Sequence, residues 1–323
     1  MDLTVAICMY NARKYIRETL SCILSQSVQD FHLLIVDDAS TDDGAALVEE
    51  FFREHPRQYE LQRLPENGGL CAGRRFVEEH ASTKYLLFVD ADDCPYPQMV
   101  EKLYGKIVSD PDLMAVGCYQ EYMGTNGEKL RGGIYLGCKT KEEFYAKAAA
   151  GKLIFMSAGA AVFDRELALR VGGHQLDGFP EGKPRYRDLC EDLDLWCRMS
   201  DLFVEGKAII VLPEVLWRYR KHERAMSTDS FGMTLRMKHI KGNLRRRRSG
   251  QKDLSFIEFR DNLPPAEEKA IRREAVAADS FRKAYFLLRK GRIFSALFHL
   301  LRSFFAQPSY GWKKVRANLH IFH

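Results

Sequence analysis

The chain has no Cys-x-x-Cys pair, so zinc-ribbon spacing and thioredoxin-type redox chemistry are both excluded. Its eight cysteines (Cys8, Cys22, Cys71, Cys94, Cys118, Cys138, Cys190 and Cys197) fall largely inside apolar runs, where they read as small core residues. Reduced thiols of this kind fit a cytoplasmic setting. No Gly-x-Gly-x-x-Gly stretch occurs, which removes the usual dinucleotide fingerprint. No uncharged apolar run approaches the roughly 18–20 residues of a spanning helix. Met1-Asp2-Leu3-Thr4-Val5 lacks the basic start of a secretory leader and enters a strand pattern at once. The expectation is a protein that stays in the cytoplasm, free or lying on a membrane. Acidic residues are missing altogether from Ser280 to His323, where nine Lys and Arg stand.

That last absence marks an uneven charge distribution. Residues 1–225 hold 28 Lys and Arg against 36 Asp and Glu, while residues 226–323 hold 21 against 8. The changeover predicts a boundary, with a body over 1–227 and a basic helical region over 228–323. At 323 residues and 46% hydrophobic content, an ordinary core is available to the body.

The body is organised around Tyr85-Leu86-Leu87-Phe88-Val89-Asp90-Ala91-Asp92-Asp93. The apolar run predicts a buried central strand, and three carboxylates follow where that strand leaves the sheet. Three like charges this close need a cation, and a hard divalent ion with oxygen ligands suits them. Before this stretch, Leu3 to Cys8, Phe31 to Val36 and Tyr59 to Leu64 predict strands. Helices are predicted around Ile16 to Leu24, over about 43–54, and from Asn67-Gly68-Gly69 to about His80. Alternation of strand and helix is the pattern of a mostly parallel α/β sheet. Further on, Thr125-Asn126-Gly127 predicts a hairpin. A helix follows over Leu189 to Arg198, then two strands, Ala208 to Leu212 and Val215 to Arg220.

Thr4 to Asn11, Val36-Asp37-Asp38-Ala39-Ser40-Thr41-Asp42, Glu66-Asn67-Gly68-Gly69, Asp90-Ala91-Asp92-Asp93, Glu191-Asp192 and Tyr219-Arg220-Lys221-His222 occur in that order over residues 3 to 227. Together they resemble the inverting glycosyltransferases of family 2, with the GT-A fold, of the kind that builds bacterial polysaccharides and glycolipids. Cys8 departs from the pattern where proline is common, and Arg75 where asparagine usually follows the arginine. The resemblance implies a nucleotide-sugar donor, a UDP-sugar by preference, and a glycan or lipid-linked acceptor hydroxyl.

Residue chemistry assigns tasks beside that resemblance. Tyr10 can stack on a base, and the Asp38 carboxylate suits an imide N–H, although Asp37 and Asp38 could exchange roles. Arg74 can reach base or phosphates, or form a helix-surface ion pair; the resemblance favours the base role for all three. Asp92 is the direct ligand for Mn²⁺ or Mg²⁺, with Asp90 on the ribose and near the metal. Asp93 supports from behind or caps a helix. The resemblance gives His222 a place near the metal or the diphosphate. Asp192 is the candidate general base that takes the acceptor proton, with Glu191 supporting it or touching the acceptor.

In the tail, Ile293, Phe294, Leu297, Phe298, Leu301, Phe304 and Phe305 recur at helical spacing among basic residues. This is the profile of an interfacial helix on an anionic leaflet, which predicts attachment to the cytoplasmic face of the inner membrane. The same face could instead pack on the body or a second subunit. No nucleic-acid recognition motif accompanies the charge. Other functions fit this pattern less well. An Asp-x-Asp phosphohydrolase would want its pair on the first strand, and a degenerate GT-A binding protein would have lost some of Asp92, Asp192 and His222.

Overall fold

A computed structural model describes residues 1–182, 184–222, 228–289, 291–310 and 312. The chain divides into two compact units, one of residues 1–177, 190–222 and 243–253, the other of 178–189, 223–242 and 254–323.

The first unit opens with β1 (Leu3–Met9), α1 (Ile16–Leu24), β2 (His32–Asp37), α2 (Gly44–Glu54), β3 (Glu60–Arg63), α3 (Leu70–His80) and β4 (Tyr85–Asp90). There follow β5 (Cys94–Pro95), α4 (Met99–Val108), β6 (Leu113–Met123), β7 (Lys129–Ile134) and α5 (Lys141–Ala149). The unit is completed by β8 (Ala161–Asp164), α6 (Arg165–Arg170), α7 (Glu191–Met199) and β9 (Ala208–Arg220). One mixed sheet runs β3-β2-β1-β4-β8-β6-β9-β5, with β7 alongside β6. Its first four strands are parallel, and β8 runs antiparallel between β4 and β6. The fold is the α/β class expected from the alternation of elements.

Burial explains why the strands read as unbroken apolar runs. Val5, Ala6 and Ile7 of β1, Ile35 and Val36 of β2, and Leu86 to Val89 of β4 are all buried, covered on both faces. Each such side chain contributes about 1.5–3 kcal/mol by leaving water. In α1, Ile16, Leu20 and Ile23 are buried, as their spacing requires. The register sets Cys8 of β1 beside Asp90 of β4 and Met9 beside Asp37 of β2. The polar exits of three neighbouring strands therefore emerge along one edge, where ligands meet parallel sheets.

Two expectations are corrected. The strands predicted at 208–212 and 215–220 are one, β9, which runs parallel to β6 with register shifts near Cys118 and Tyr119. Pro213 has no N–H for the ladder, and an irregularity in the pairing absorbs it. Of the cysteines read as reduced, Cys22 and Cys94 are joined as a disulfide, with α-carbons 5.6 Å apart. The others are not disulfide-bonded, and Cys71, Cys118, Cys138, Cys190 and Cys197 are buried as expected of core residues.

The second unit holds most of α8 (Ser230–Arg248), then α9 (Phe256–Asp261), α10 (Pro265–Arg289) and α11 (Ile293–Ala306). Ser255 caps α9 through a reciprocal bond with Glu258. Gly291, at φ 72°, turns the chain between α10 and α11. These two pack through small residues: Ala277, Ala284 and Ala296 are buried, and the Ser303 hydroxyl donates to the Ala277 carbonyl at 2.8 Å. The bulky side of α11 faces outward, with Phe294 90% and Phe305 87% exposed. Among the described residues, no helix is long and apolar enough to cross a membrane. The basic run at the end of α8 is partly tied down within the first unit. Arg247 and Arg248 both pair with Asp201, and Arg247 also pairs with Asp253.

Candidate active site

The loops after β1 and β2 are bound to each other. Asn11, held at φ 51°, accepts from the Thr41 and Asp42 amides through its side chain, and the Asn11 amide donates to Ser40. Tyr10 beside it is 46% exposed, free to offer a ring face. Asp38 is buried, and its carboxylate accepts from the amides of Gly68 and Gly69 and from Asn67 Nδ2, each at 2.7 Å. It thereby anchors the Asn67-Gly68-Gly69 turn that starts α3. Asp37 accepts from the Ser40 amide at 3.1 Å.

One turn into α3, Arg74 is buried with its guanidinium committed to two carboxylates. It donates to Asp90 Oδ1 at 2.9 Å and to Glu191 Oε1 at 2.5 Å, and lies over the Phe88 ring. Glu191 and Asp192 occupy the first turn of α7, where the helix dipole favours negative charge. Cys190 enters that helix at φ 56°, a left-handed turn that non-glycine residues rarely adopt. Burial and the neighbouring Asp192 charge push Glu191 up to about 8, with Arg74 acting against them. Burial likewise raises Asp90, against Arg74, with Asp92 and Asp192 adding to the rise. Asp90, Asp92 and Asp192 therefore share one electrostatic environment.

Asp92 and His222 meet at the far side of that group, Oδ2 to Nε2 at 2.8 Å, both partly exposed. Among the described residues, no cluster of three or more His, Cys, Asp or Glu forms a ready cage. A carboxylate oxygen with an imidazole nitrogen nevertheless fits Mn²⁺, and ions at phosphate sites usually take only one or two carboxylates. Asp93 turns away from solvent: its carboxylate accepts from Trp217 Nε1 at 2.8 Å and from the Arg220 amide at 2.7 Å.

Sequence reasoning gave Arg220 no task, although it stands two residues before His222. It is fully buried, and its guanidinium donates to the Asp92 carbonyl at 2.6 Å, to Glu18 at 2.6 Å and to the Gly124 carbonyl at 3.0 Å. It locks the backbone of the Asp92 turn to β9. An arginine beside the histidine was visible in the sequence; its partners were not. Trp196 is core, with its Nε1 donating to the Met156 carbonyl. Asp194 pairs with Arg198 inside the unit.

This strand-exit site sits on a mixed α/β sheet, and residues 4–172 match the model of "Glycosyl transferase family 2". The chain belongs to that family. It is 25% identical over 230 residues to the putative glycosyltransferase EpsE of Bacillus subtilis, covering 71% of this chain and 76% of that protein. It is 34% identical over 125 residues to glycosyltransferase GlyA of Streptococcus pneumoniae, but that match covers 39% of this chain and 18% of GlyA. A 38% identical stretch of 91 residues in a teichoic acid poly(glycerol phosphate) polymerase of Staphylococcus epidermidis covers 28% of this chain and 13% of the polymerase. The chain thus spans less than a fifth of these last two proteins. Among solved structures, S. aureus TarS 1–349 in complex with UDP-GlcNAc aligns with TM-score 0.54 and 18% identity, over 95% of this chain and 92% of that one. The mannosyltransferase PcManGT of Pyrobaculum calidifontis, in complex with GDP-Man and Mn²⁺, aligns at 0.53 and 19%, over 99% and 80%. These likenesses establish the GT-A fold.

Proposed function

We propose that this chain is an inverting, metal-dependent glycosyltransferase that moves a sugar from a nucleotide-sugar, a UDP-sugar by preference, to an acceptor hydroxyl in cell-surface polysaccharide or glycolipid synthesis. The observation that carries this reading is the joining of two acidic groups by one buried cation: Arg74 ties Asp90 of the strand exit to Glu191, next to Asp192. Relatives of teichoic acid synthesis and structures holding UDP-GlcNAc or GDP-Man with Mn²⁺ support the donor and acceptor classes.

In this reading Tyr10 stacks on the base, and Asp38, through the turn it anchors, shapes the base and ribose pocket that Asp90 borders. Arg74 holds Asp90 and Glu191 in place. The acceptor oxygen attacks the anomeric carbon from the face opposite the diphosphate, and its proton passes to Asp192. The bond from that carbon to the diphosphate oxygen breaks, with its electron pair leaving on the diphosphate, so the configuration inverts. Asp92 and His222 would hold a Mn²⁺ or Mg²⁺ ion, which when bound neutralises charge on the departing diphosphate. Glu191 keeps the base side of the cleft buried and its charge low.

The exposed aromatic face of α11, with Arg292 and Arg302 exposed beside it, supports peripheral attachment to an anionic, cytoplasmic leaflet, which would present the site to a lipid-linked acceptor.

The test is nucleotide release from UDP-glucose, UDP-galactose, UDP-N-acetylglucosamine and GDP-mannose, with and without Mn²⁺. Release from at least one donor that requires the ion, and falls at least tenfold in Asp92→Asn, is the expected result. Stabilisation by UDP and Mn²⁺ with no release from any donor would instead make the chain a binding protein.

A further inference from the structure

Tyr15 stands at the N-cap of α1, with φ −124° and ψ −19°, and its side chain makes no bond to the helix start. That position favours Ser, Thr, Asp or Asn, whose short side chains accept from the first free amides. A tyrosine gives up that cap, so local preference does not account for it. Departures of this kind are expected where a tertiary or functional contact has replaced the local one.

The ring's surroundings supply such a contact. Partly buried, its centre lies 4.5 Å from the Arg220 guanidinium carbon and 6.1 Å from the centre of the His222 ring, to which it is tilted by 33°. Both distances are within reach of cation–ring and ring–ring attraction. β9 ends at Arg220, and the Lys221 amide still bonds to the Met123 carbonyl at 2.9 Å; His222 is the next residue. Among the described residues, two groups meet its imidazole: the Asp92 carboxylate at 2.8 Å and the Tyr15 ring. The rest of the same helix face grips the turn that carries Asp92. Glu18 accepts from Arg220 Nη2 at 2.6 Å, and Arg220 Nε donates to the Asp92 carbonyl at 2.6 Å. The Thr19 hydroxyl lies 3.0 Å from the Ala91 carbonyl and 2.9 Å from that of Asp93. Positions 15, 18 and 19 are three and four apart, one face of the first turn. That face therefore braces the backbone on both sides of Asp92 and meets His222 through its ring.

We propose that Tyr15 is a positioning residue for His222: its ring, laid against the Arg220 guanidinium, fixes the plane of the imidazole so that Nε2 faces the Asp92 carboxylate. The last side-chain torsion of a histidine is broad, and a single hydrogen bond leaves the imidazole free to turn about the line of that bond. A ring packed beside it removes that freedom. Groups that orient a metal ligand in this way set how tightly the ion is held. In this role the aromatic ring acts and the hydroxyl does not. The inference rests on the reading above, in which Asp92 and His222 would hold Mn²⁺ or Mg²⁺.

The experiment is Mn²⁺ binding to the full chain in the presence of UDP, followed by the electron paramagnetic resonance signal of the free ion. UDP affinity without metal and thermal melting are measured beside it. The proteins are wild type, Tyr15→Phe, Tyr15→Leu, Tyr15→Met, His222→Ala, and each non-aromatic change combined with His222→Ala. Two non-aromatic variants are made so that failure of one to fold leaves the other. Tyr15→Phe should bind Mn²⁺ as wild type does. Tyr15→Leu and Tyr15→Met should bind it about tenfold more weakly, with metal-free UDP affinity unchanged. In the His222→Ala chain, itself weaker for the ion, the same changes should cost nothing further, because the ring acts through the imidazole. An equal loss with and without His222 would make Tyr15 a general structural support, and a loss in Tyr15→Phe would assign the effect to the hydroxyl; either result overturns the proposal. So does wild-type Mn²⁺ affinity in both non-aromatic variants, with the site reading left standing. If wild type binds no Mn²⁺ beside UDP, or His222→Ala binds it as tightly as wild type, the metal reading itself fails and the role of Tyr15 falls with it.

Discussion

Arg74 of α3 and Glu191 of α7 are joined at 2.5 Å across 117 residues of chain, and the same guanidinium holds Asp90. A guanidinium that is 2% exposed is tolerable because separate N–H groups of it are met by the Asp90 and Glu191 side chains. Removing it strands both of them. Arg74→Ala should lose about 3–5 kcal/mol of stability in urea unfolding. Arg74→Lys should fall between, since the three N–H groups of an ammonium share one nitrogen and cannot span two acids as the separate nitrogens of a planar guanidinium do. A loss below about 1 kcal/mol for alanine would show that the bridge is not a structural tie.

Asp192→Asn keeps the shape of the α7 first turn and removes the proton acceptor. Turnover should drop by about 10²–10⁴-fold with nucleotide-sugar affinity unchanged. Near-normal transfer by this variant would assign the base elsewhere.

Glu191 links stability to pH. In the folded chain it holds its proton up to about 8, whereas in the unfolded chain it releases it near ~4.3. The stability tied to that proton is fully present below the unfolded value and is lost as pH rises through about 8. Wild type should therefore lose melting temperature relative to Glu191→Gln between about pH 5 and pH 8. Parallel curves for the two proteins across that window would contradict the upward shift.

The α11 face is tested by replacing Phe294, Phe298 and Phe305, all strongly exposed, with serine. Co-sedimentation with vesicles of anionic phospholipid should fall by about tenfold or more, while neutral vesicles bind neither protein well. Since these rings leave the α10 contact untouched, the melting temperature should hold. Unchanged co-sedimentation would remove the membrane from the reading.

Local chemistry made much of this protein legible before its coordinates. Apolar runs such as Leu86 to Val89 are strands because only a buried, doubly covered position accommodates them. The four-three spacing of Ile16, Leu20 and Ile23 is a helix face because 3.6 residues make a turn. Gly172 and Gly173 close α6 at φ 98° and 57°, as a glycine pair after a short helix should. The carboxylates of Asp90 and Asp92 sit at a strand exit for the same local reason.

Partnership was decided only in three dimensions. Nothing in the sequence says that the Asp38 carboxylate is spent on Gly68 and Gly69, that Arg220 grips the Asp92 carbonyl, or that Cys22 reaches Cys94. Each of those pairs depends on strand register and loop course, where a one-residue slip turns a side chain to the opposite face. Residue type determined what chemistry this chain could offer; long-range register determined which groups meet to perform it.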